Sequence, residues 1–269
     1  MSSSASSSTL IATSLILLAT LSLASCASPD TERASEAPPI LDGTSLINAM
    51  YAEYQDDWFD AVRIVQEVTP YDENGQAGQP ITWFEWVQLP GRVRSAIGNP
   101  VSGNCEIYDR GKQYVFTDGQ LARQSEAPHP VLLLGFDVYK QPVADTLTSL
   151  QEIGYDLDAM CRTIAHGDAG PSYIIGTTDP DDTETPRFIV DAHQLLCRSL
   201  HYRSPRSGAM ITVEFNKYKA TAKGGWIATE LVFRRNGTLL FSENYLEYEA
   251  LDSVLDSAYD VENFQTDFN

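Results

Sequence analysis

The chain has 269 residues and a formal charge of −19. A surface of that sign repels phosphate backbones and anionic headgroups, which argues against nucleic acid as a partner. With 43% hydrophobic and 20% charged residues, the composition is that of a globular protein and not of a disordered one.

From Leu10 to Leu23 the sequence reads LIATSLILLATLSL, with no charge before Asp30. A membrane-spanning helix needs about 20 mostly apolar residues, a signal-peptide core only about 7–15. The run fits the second. Leu23-Ala24-Ser25-Cys26 follows, and this tetrapeptide resembles the lipobox of bacterial lipoproteins. The resemblance implies cleavage before Cys26 and lipidation of its thiol and amine, with acyl chains such as palmitate. Stable anchoring takes more than one chain, and that modification would supply it. Ala27, where an aspartate would retain the protein, implies an outer-membrane lipoprotein facing the periplasm. The leader MSSSASSST departs from the pattern by carrying no Lys or Arg. An upstream start, a Ser-rich transit peptide, a soluble secreted form or a weak anchor are the alternatives. The expected organisation is a signal peptide over 1–25, a flexible tether over 26–43 that includes DTERASEAPP, and a single domain over 44–269. Removing the leader leaves about 240 residues, enough for one large β domain.

If Cys26 carries lipid, Cys105, Cys161 and Cys197 remain, an odd number in an oxidising compartment. One disulfide, Cys161–Cys197, plus one buried thiol is the expectation. No CxxC or Cys/His spacing occurs, so no structural zinc is expected.

Gly43-Thr44-Ser45 offers an N-cap to a helix whose apolar face is Leu46, Ile47, Met50, Tyr51 and Tyr54. From Trp58 the period changes to two. WFDAVRIVQEV, PITWFEWVQL, RVRSAIG, CEIYD and KQYVF are short, rich in β-branched and aromatic residues, and separated by Asn74-Gly75, Arg110-Gly111 and Asp118-Gly119 turns. After PHPVLLLGFDVYK, Pro142 and Gly154 bracket a second helix with Val143, Leu147, Leu150 and Ile153 as its stripe. DLDAMCRTIA fits helix and strand equally. Strands resume with PSYIIGTT, PRFIVDA, QLLCRSLHYR, AMITVEFNKYK, GWIATELVFRR and TLLFSENYLEYEAL, and Asn236-Gly237 marks a hairpin between the last two. Long strands interrupted once by helices predict an α+β protein: one curved antiparallel sheet with helices on one face.

The order of these parts resembles the LolA/LolB-like superfamily, which includes lipoprotein-sorting carriers and the sensor domain of RseB. The matching stretches are Leu89-Pro90-Gly91-Arg92-Val93-Arg94, Tyr114-Val115-Phe116-Thr117-Asp118-Gly119, Phe188-Ile189-Val190-Asp191 and Ala258-Tyr259-Asp260-Val261-Glu262-Asn263-Phe264. With the N-terminal helix included, the resemblance covers about Thr44 to Phe264. The resemblance implies an incomplete, half-open antiparallel β-barrel whose helices cover the concave face around an apolar cavity. It implies a hydrophobic ligand, such as a lipoprotein's acyl chain, no cofactor and no catalysis. An envelope protein partner is the alternative. In the soluble carrier an arginine precedes the strand-bend proline; here that position is Leu89, and with the lipobox this fits an anchored, LolB-like acceptor or a relative with another apolar ligand.

Candidate cavity and lid residues are Trp83, Trp86, Leu89, Phe136, Leu147, Leu150, Ile153, Trp226 and Phe233. Each is also a candidate for plain core. Asp179, Asp181, Asp182 and Glu184 could offer oxygen ligands to calcium, but without the spacing of an EF-hand they read as a solvated loop. Asp191 and His193 would share a strand face; no GxSxG-type nucleophile accompanies them, so no enzyme is expected. His129, His166 and His201 show no ligand pattern.

Overall fold

Asp42, one residue before the expected cap, starts the first helix. Its carboxylate accepts the Ser45 backbone N–H at 2.7 Å, and its own N–H donates to the Ser45 hydroxyl at 3.0 Å, a reciprocal capping box. Helix α1 (Gly43–Tyr54) buries Leu46, Ile47 and Met50. The structure is a computed structural model that describes residues 39–164 and 170–262. The expected signal peptide, Cys26, most of the tether, His166 and the end of the tail lie outside the described residues.

Thirteen strands follow α1: β1 (Ala61–Pro70), β2 (Ile81–Gln88), β3 (Arg92–Ile97), β4 (Cys105–Asp109), β5 (Lys112–Thr117), β6 (Gln120–Glu126), β7 (Met160–Thr163), β8 (Ser172–Ile175), β9 (Arg187–Asp191), β10 (Cys197–Arg203), β11 (Met210–Ala220), β12 (Trp226–Arg235) and β13 (Thr238–Leu251). They form one sheet in the order β6-β5-β4-β3-β2-β1-β13-β12-β11-β10-β9-β8-β7, each pair antiparallel. Two meanders therefore meet at β1 and β13. The outermost strands β6 and β7 do not pair with each other, so the arc is a half-open barrel. The ambiguous DLDAMCRTIA contributes β7, an edge strand of four residues.

Between the two edges the chain builds α2 (Pro130–Gly135), a 3-10 turn at Asp137–Tyr139 and α3 (Val143–Ile153). Gly154 ends α3 in the left-handed region, φ +99°, as a glycine C-cap should. The helices cover the concave face. Leu46, Ile47 and Met50 of α1, Leu132 to Leu134 of α2 and Leu150 of α3 join Val62, Ile64, Val87, Phe188, Val213, Phe215, Ile227 and Leu231 of the sheet in one continuous core. Tyr139 sits at its centre, stacked on Trp58 with ring centroids 3.9 Å apart.

The opposite, convex face carries a smaller cluster. Cys105, Ile107 and Phe116 pack there against Ala258 and Tyr259 of the C-terminal 3-10 turn. The Arg92 guanidinium lies 4.6 Å from the Tyr259 ring centroid, and Arg94 donates to the Ala258 carbonyl at 3.1 Å.

Turn chemistry sets the hairpins. Asn236 and Gly237 both take positive φ, +49° and +82°, as the β12–β13 turn requires. Gly224 is more constrained. Its φ is +87°, and a Cβ there would lie 2.0 Å from the Asp57 carbonyl oxygen. Gly224→Ala is expected to cost about 2 kcal/mol through strain and that clash, measured as a lower urea midpoint. An unchanged midpoint would show that the 221–225 turn does not press on the α1–β1 connection.

The expected Cys161–Cys197 disulfide is absent: Cys105, Cys161 and Cys197 are free thiols. The sheet explains why. Cys161 pairs with Ile174, Ile174 with Ile189 and Ile189 with Ser199, so three strand spacings separate Cys161 from the strand of Cys197. At roughly 4.8 Å per strand this far exceeds the 7 Å Cα limit for a bridge.

Candidate functional site

Strand periodicity decides which side chains look into the arc. On β1, Val62 and Ile64 face the helices, so Gln66 and Val68 continue along the same face. Their neighbours are fixed by register. Gln66 lies between Trp83 and Tyr245, Ile64 between Glu85 and Tyr248, and Val68 between Ile81 and Glu243. Glu85 is opposite Ser95, which is opposite Glu106, and Glu243 is opposite Leu231. Phe233 stacks on Phe241 with centroids 4.1 Å apart.

The concave face thus has two zones. Near Val62, Val87 and Ile227 it is filled by helical side chains. Beyond them lies a trough walled by half-buried aromatic rings, Trp83, Phe241, Tyr245 and Tyr248 beside the more deeply set Phe233, with Gln66, Glu85 and Glu243 between them. Glu85 accepts the Ser95 hydroxyl at 2.6 Å. Burial, more than the nearby charge of Glu106, pushes its carboxyl up to about 7 against the Ser95 hydrogen bond. Glu243 is raised well above the carboxylate range by burial first, then by Glu85 and Glu106.

The sequence-derived candidates divide between these zones. Leu89, Phe136, Leu150 and Phe233 are in the continuous core, and Leu147, Ile153 and Trp226 pack against it. Trp83 faces the trough. Trp86 lies on the convex side, between Arg63 and Arg94, where its carbonyl accepts the Tyr259 hydroxyl at 3.3 Å. Sequence reasoning missed Gln66, Glu85, Glu243 and Tyr245, because a lone polar residue inside TWFEWV or RIVQEV carries no sign of which partner strands enclose it.

Two clefts open at the rim of the helical cover. One, of about 710 Å³, is bordered by Tyr108, Arg110, Glu126, His129 and Asp137. The other, of about 580 Å³, lies between Leu89, Arg92, Arg110 and residues 253–256. Asp137 is the buried acid of the first. It is 4% exposed, accepts the Gly91 N–H at 2.9 Å and is pushed up to about 7 by burial. That bond fastens the 3-10 turn after α2 to the β2–β3 turn, directly beside Leu89. His129 is spent as the N-cap of α2, its Nδ1 accepting the Leu132 N–H at 3.1 Å.

The remaining polar candidates serve local structure. Asp191 and His193 do not share a strand face: β9 ends at Asp191, whose carboxylate accepts the His193 and Gln194 N–H groups at 2.8 and 2.7 Å and pairs with Arg198. Burial pushes the Cys197 thiol far up, opposite to what a nucleophile needs. His201 contacts the Thr212 hydroxyl at 3.2 Å, and burial lowers its pKa to about 4. In the 179–184 loop, Asp179 caps the Asp181 N–H, and Asp182 those of Glu184 and Thr185. Among the described residues no three His, Cys, Asp or Glu side chains converge on a metal position.

No family model and no curated protein matches the sequence. Solved structures do. A crystal structure described as an outer membrane lipoprotein-sorting protein domain, from Vibrio parahaemolyticus, superposes with a TM-score of 0.57 at 11% identity, covering 83% of this chain and 98% of that one. A LolA superfamily protein from Nitrosomonas europaea gives 0.50 at 11%, covering 80% and 97%. The fold is LolA-like. A DUF1329 family protein from Desulfovibrio piger shares it at a TM-score of 0.52 and 12% identity, covering 81% and 95%. At such identities the likeness speaks for the fold alone. Within the LolA-like frame, the Leu89–Arg94 stretch is the β2–β3 bend, Tyr114–Gly119 is β5 with its turn, and Phe188–Asp191 lies on β9.

Proposed function

We propose that this LolA-like chain is a bacterial envelope protein, anchored through Cys26 in the outer membrane and facing the periplasm, that binds an apolar or amphiphilic ligand on its concave face. It acts as carrier, acceptor or sensor of an acyl chain, lipid or lipoprotein, without chemistry. The observation that carries this reading is the aromatic trough of Trp83, Phe241, Tyr245 and Tyr248, half-buried rings on the concave face beside Phe233 of the core.

The energetics favour this end of the arc. An acyl chain of about 14 methylenes gains on the order of 11 kcal/mol when fully buried. Association costs roughly 4–15 kcal/mol, so a ligand that also had to displace Leu134, Leu150 and Tyr139 from the core would gain nothing. Seating along the trough avoids that displacement. The candidates Leu147 and Ile153, packed at the margin of the core, would contact the distal part of a long chain once α3 moved outward.

The test is titration of the purified protein with a fluorescent fatty acid, together with mass spectrometry of lipid extracted from protein purified from the envelope. The expected result is saturable binding at micromolar concentration and a co-purified lipid. Absence of both would remove the reading. A second reading, an interaction lipoprotein that docks an envelope protein, draws on the edge strand β6, all seven residues of which are exposed. Crosslinking in cells to one stable partner, with no lipid bound, would favour it.

A further inference from the structure

Three carboxylates meet an uncompensated polar floor inside the arc. Glu85 and Glu243 lie on the face that looks into the trough, and Glu106 sits one strand beyond Ser95. The charges that raise Glu85 and Glu243 are those of neighbouring carboxylates, Glu106 at Glu85 and both Glu85 and Glu106 at Glu243. Gln66 lies between them at 0% exposure, and among the described residues neither its amide nitrogen nor its amide oxygen has a hydrogen-bond partner. The indole Nε1 of Trp83, its direct cross-strand neighbour, has none either. A buried amide left unpaired is costly, and in a native fold it calls for a compensating partner such as water, an ion or a ligand.

We infer that this floor binds the cationic head of an amphiphile, a protonated amine held at Glu85 and Glu243, with its apolar body along Phe233 and Phe241. The inference rests on the function proposed above and specifies the ligand's head. A compact metal ion suits the site less, since among the described residues no three ligating side chains converge on one point. An ammonium group fits spread-out acceptors. It offers several N–H donors on a tetrahedral centre, to carboxylates and to the Gln66 oxygen. The rings of Trp83 and Tyr245 flank Gln66 on the two adjoining strands, and their faces attract a cation within about 6 Å. A ligand's positive charge would also offset the repulsion that Glu85, Glu106 and Glu243 meet when they ionise together.

Three probes with one tail separate the head from the tail: decylammonium, decanoate and decanol, titrated calorimetrically into the protein at about pH 8, where Glu85 is ionised, and at physiological salt. Decylammonium is expected to bind about tenfold more tightly than decanoate. Glu85→Gln and Glu243→Gln, which keep the side-chain shape, should each cut that preference to about threefold or less while leaving decanol unchanged. Glu247→Gln is the control for the general pull of a chain with charge −19, because Glu247 is exposed on the convex face; it should leave the preference intact. Equal binding of decylammonium and decanoate, or a preference that survives in both trough variants, overturns the inference while decanol binding keeps the apolar-ligand reading. If none of the three binds, both fall.

Discussion

Tyr139→Ala is expected to destabilise the fold by about 4–5 kcal/mol, the largest single-residue effect we foresee. Removing a fully buried aromatic ring costs about 3–5 kcal/mol through lost transfer energy and the cavity left behind. This ring also does more than fill space. It stacks on Trp58 at 3.9 Å, meets Tyr54 edge-on at 5.3 Å, and its hydroxyl donates to the Leu195 carbonyl and accepts the Cys197 N–H, both at 3.3 Å. It therefore joins α1, the 3-10 turn and the start of β10 in one contact. Tyr139→Phe keeps the ring and should cost about 1–2 kcal/mol, the price of an unmet Cys197 N–H. Equilibrium urea unfolding of both variants measures the two. A loss below about 2 kcal/mol for the alanine variant would mean that the helical cover is not part of the same cooperative core as the sheet.

Asp137→Asn should do the opposite, stabilising the protein by about 3 kcal/mol above pH 8 and by little near pH 4. Burial raises the Asp137 carboxyl from 3.8 to about 7. Between these values the native state holds a proton that the unfolded chain releases, so stability falls as pH rises from about 4 to about 7. The full penalty, at most about 4 kcal/mol, is present above that window. Asparagine removes the charge and keeps the oxygen that accepts the Gly91 N–H. Unfolding midpoints of both proteins across pH 4–9 give the result directly. Parallel curves would show that Asp137 is not strained by its surroundings.

Much of the architecture was legible because local signals agreed with one another. The stripe Leu46, Ile47 and Met50, the bracket of Pro142 and Gly154, and the Asn236-Gly237 turn each name one conformation, and each is found. The order of motifs also pointed to a LolA-like arc. What stayed hidden depends on which strands lie side by side. Glu85 and Trp86 are adjacent in sequence, yet one looks into the trough and the other lies against the C-terminal segment; nothing local tells which. The Cys161–Cys197 disulfide failed for the same reason, since counting cysteines ignores the strands interposed between them. Asp191 and His193 read as a pair only if β9 continues, and the carboxylate of Asp191 ends the strand by capping the turn. Asp137 gave no warning at all, sitting as an ordinary acid in GFDVYK.

The seam between β6 and β7 has a mechanical meaning. In a closed barrel, any widening must rupture rungs of the ladder, each one a backbone hydrogen bond given up. Here the two edge strands, β6 and β7, are joined among the described residues by the helical segment and by no ladder of their own, so a spreading or tightening of the arc would slide side chains past one another while every rung persists. For the binding role proposed above, the links on either side of α2 and α3 would then set the capacity, and guests of different girth could be admitted without unzipping the sheet.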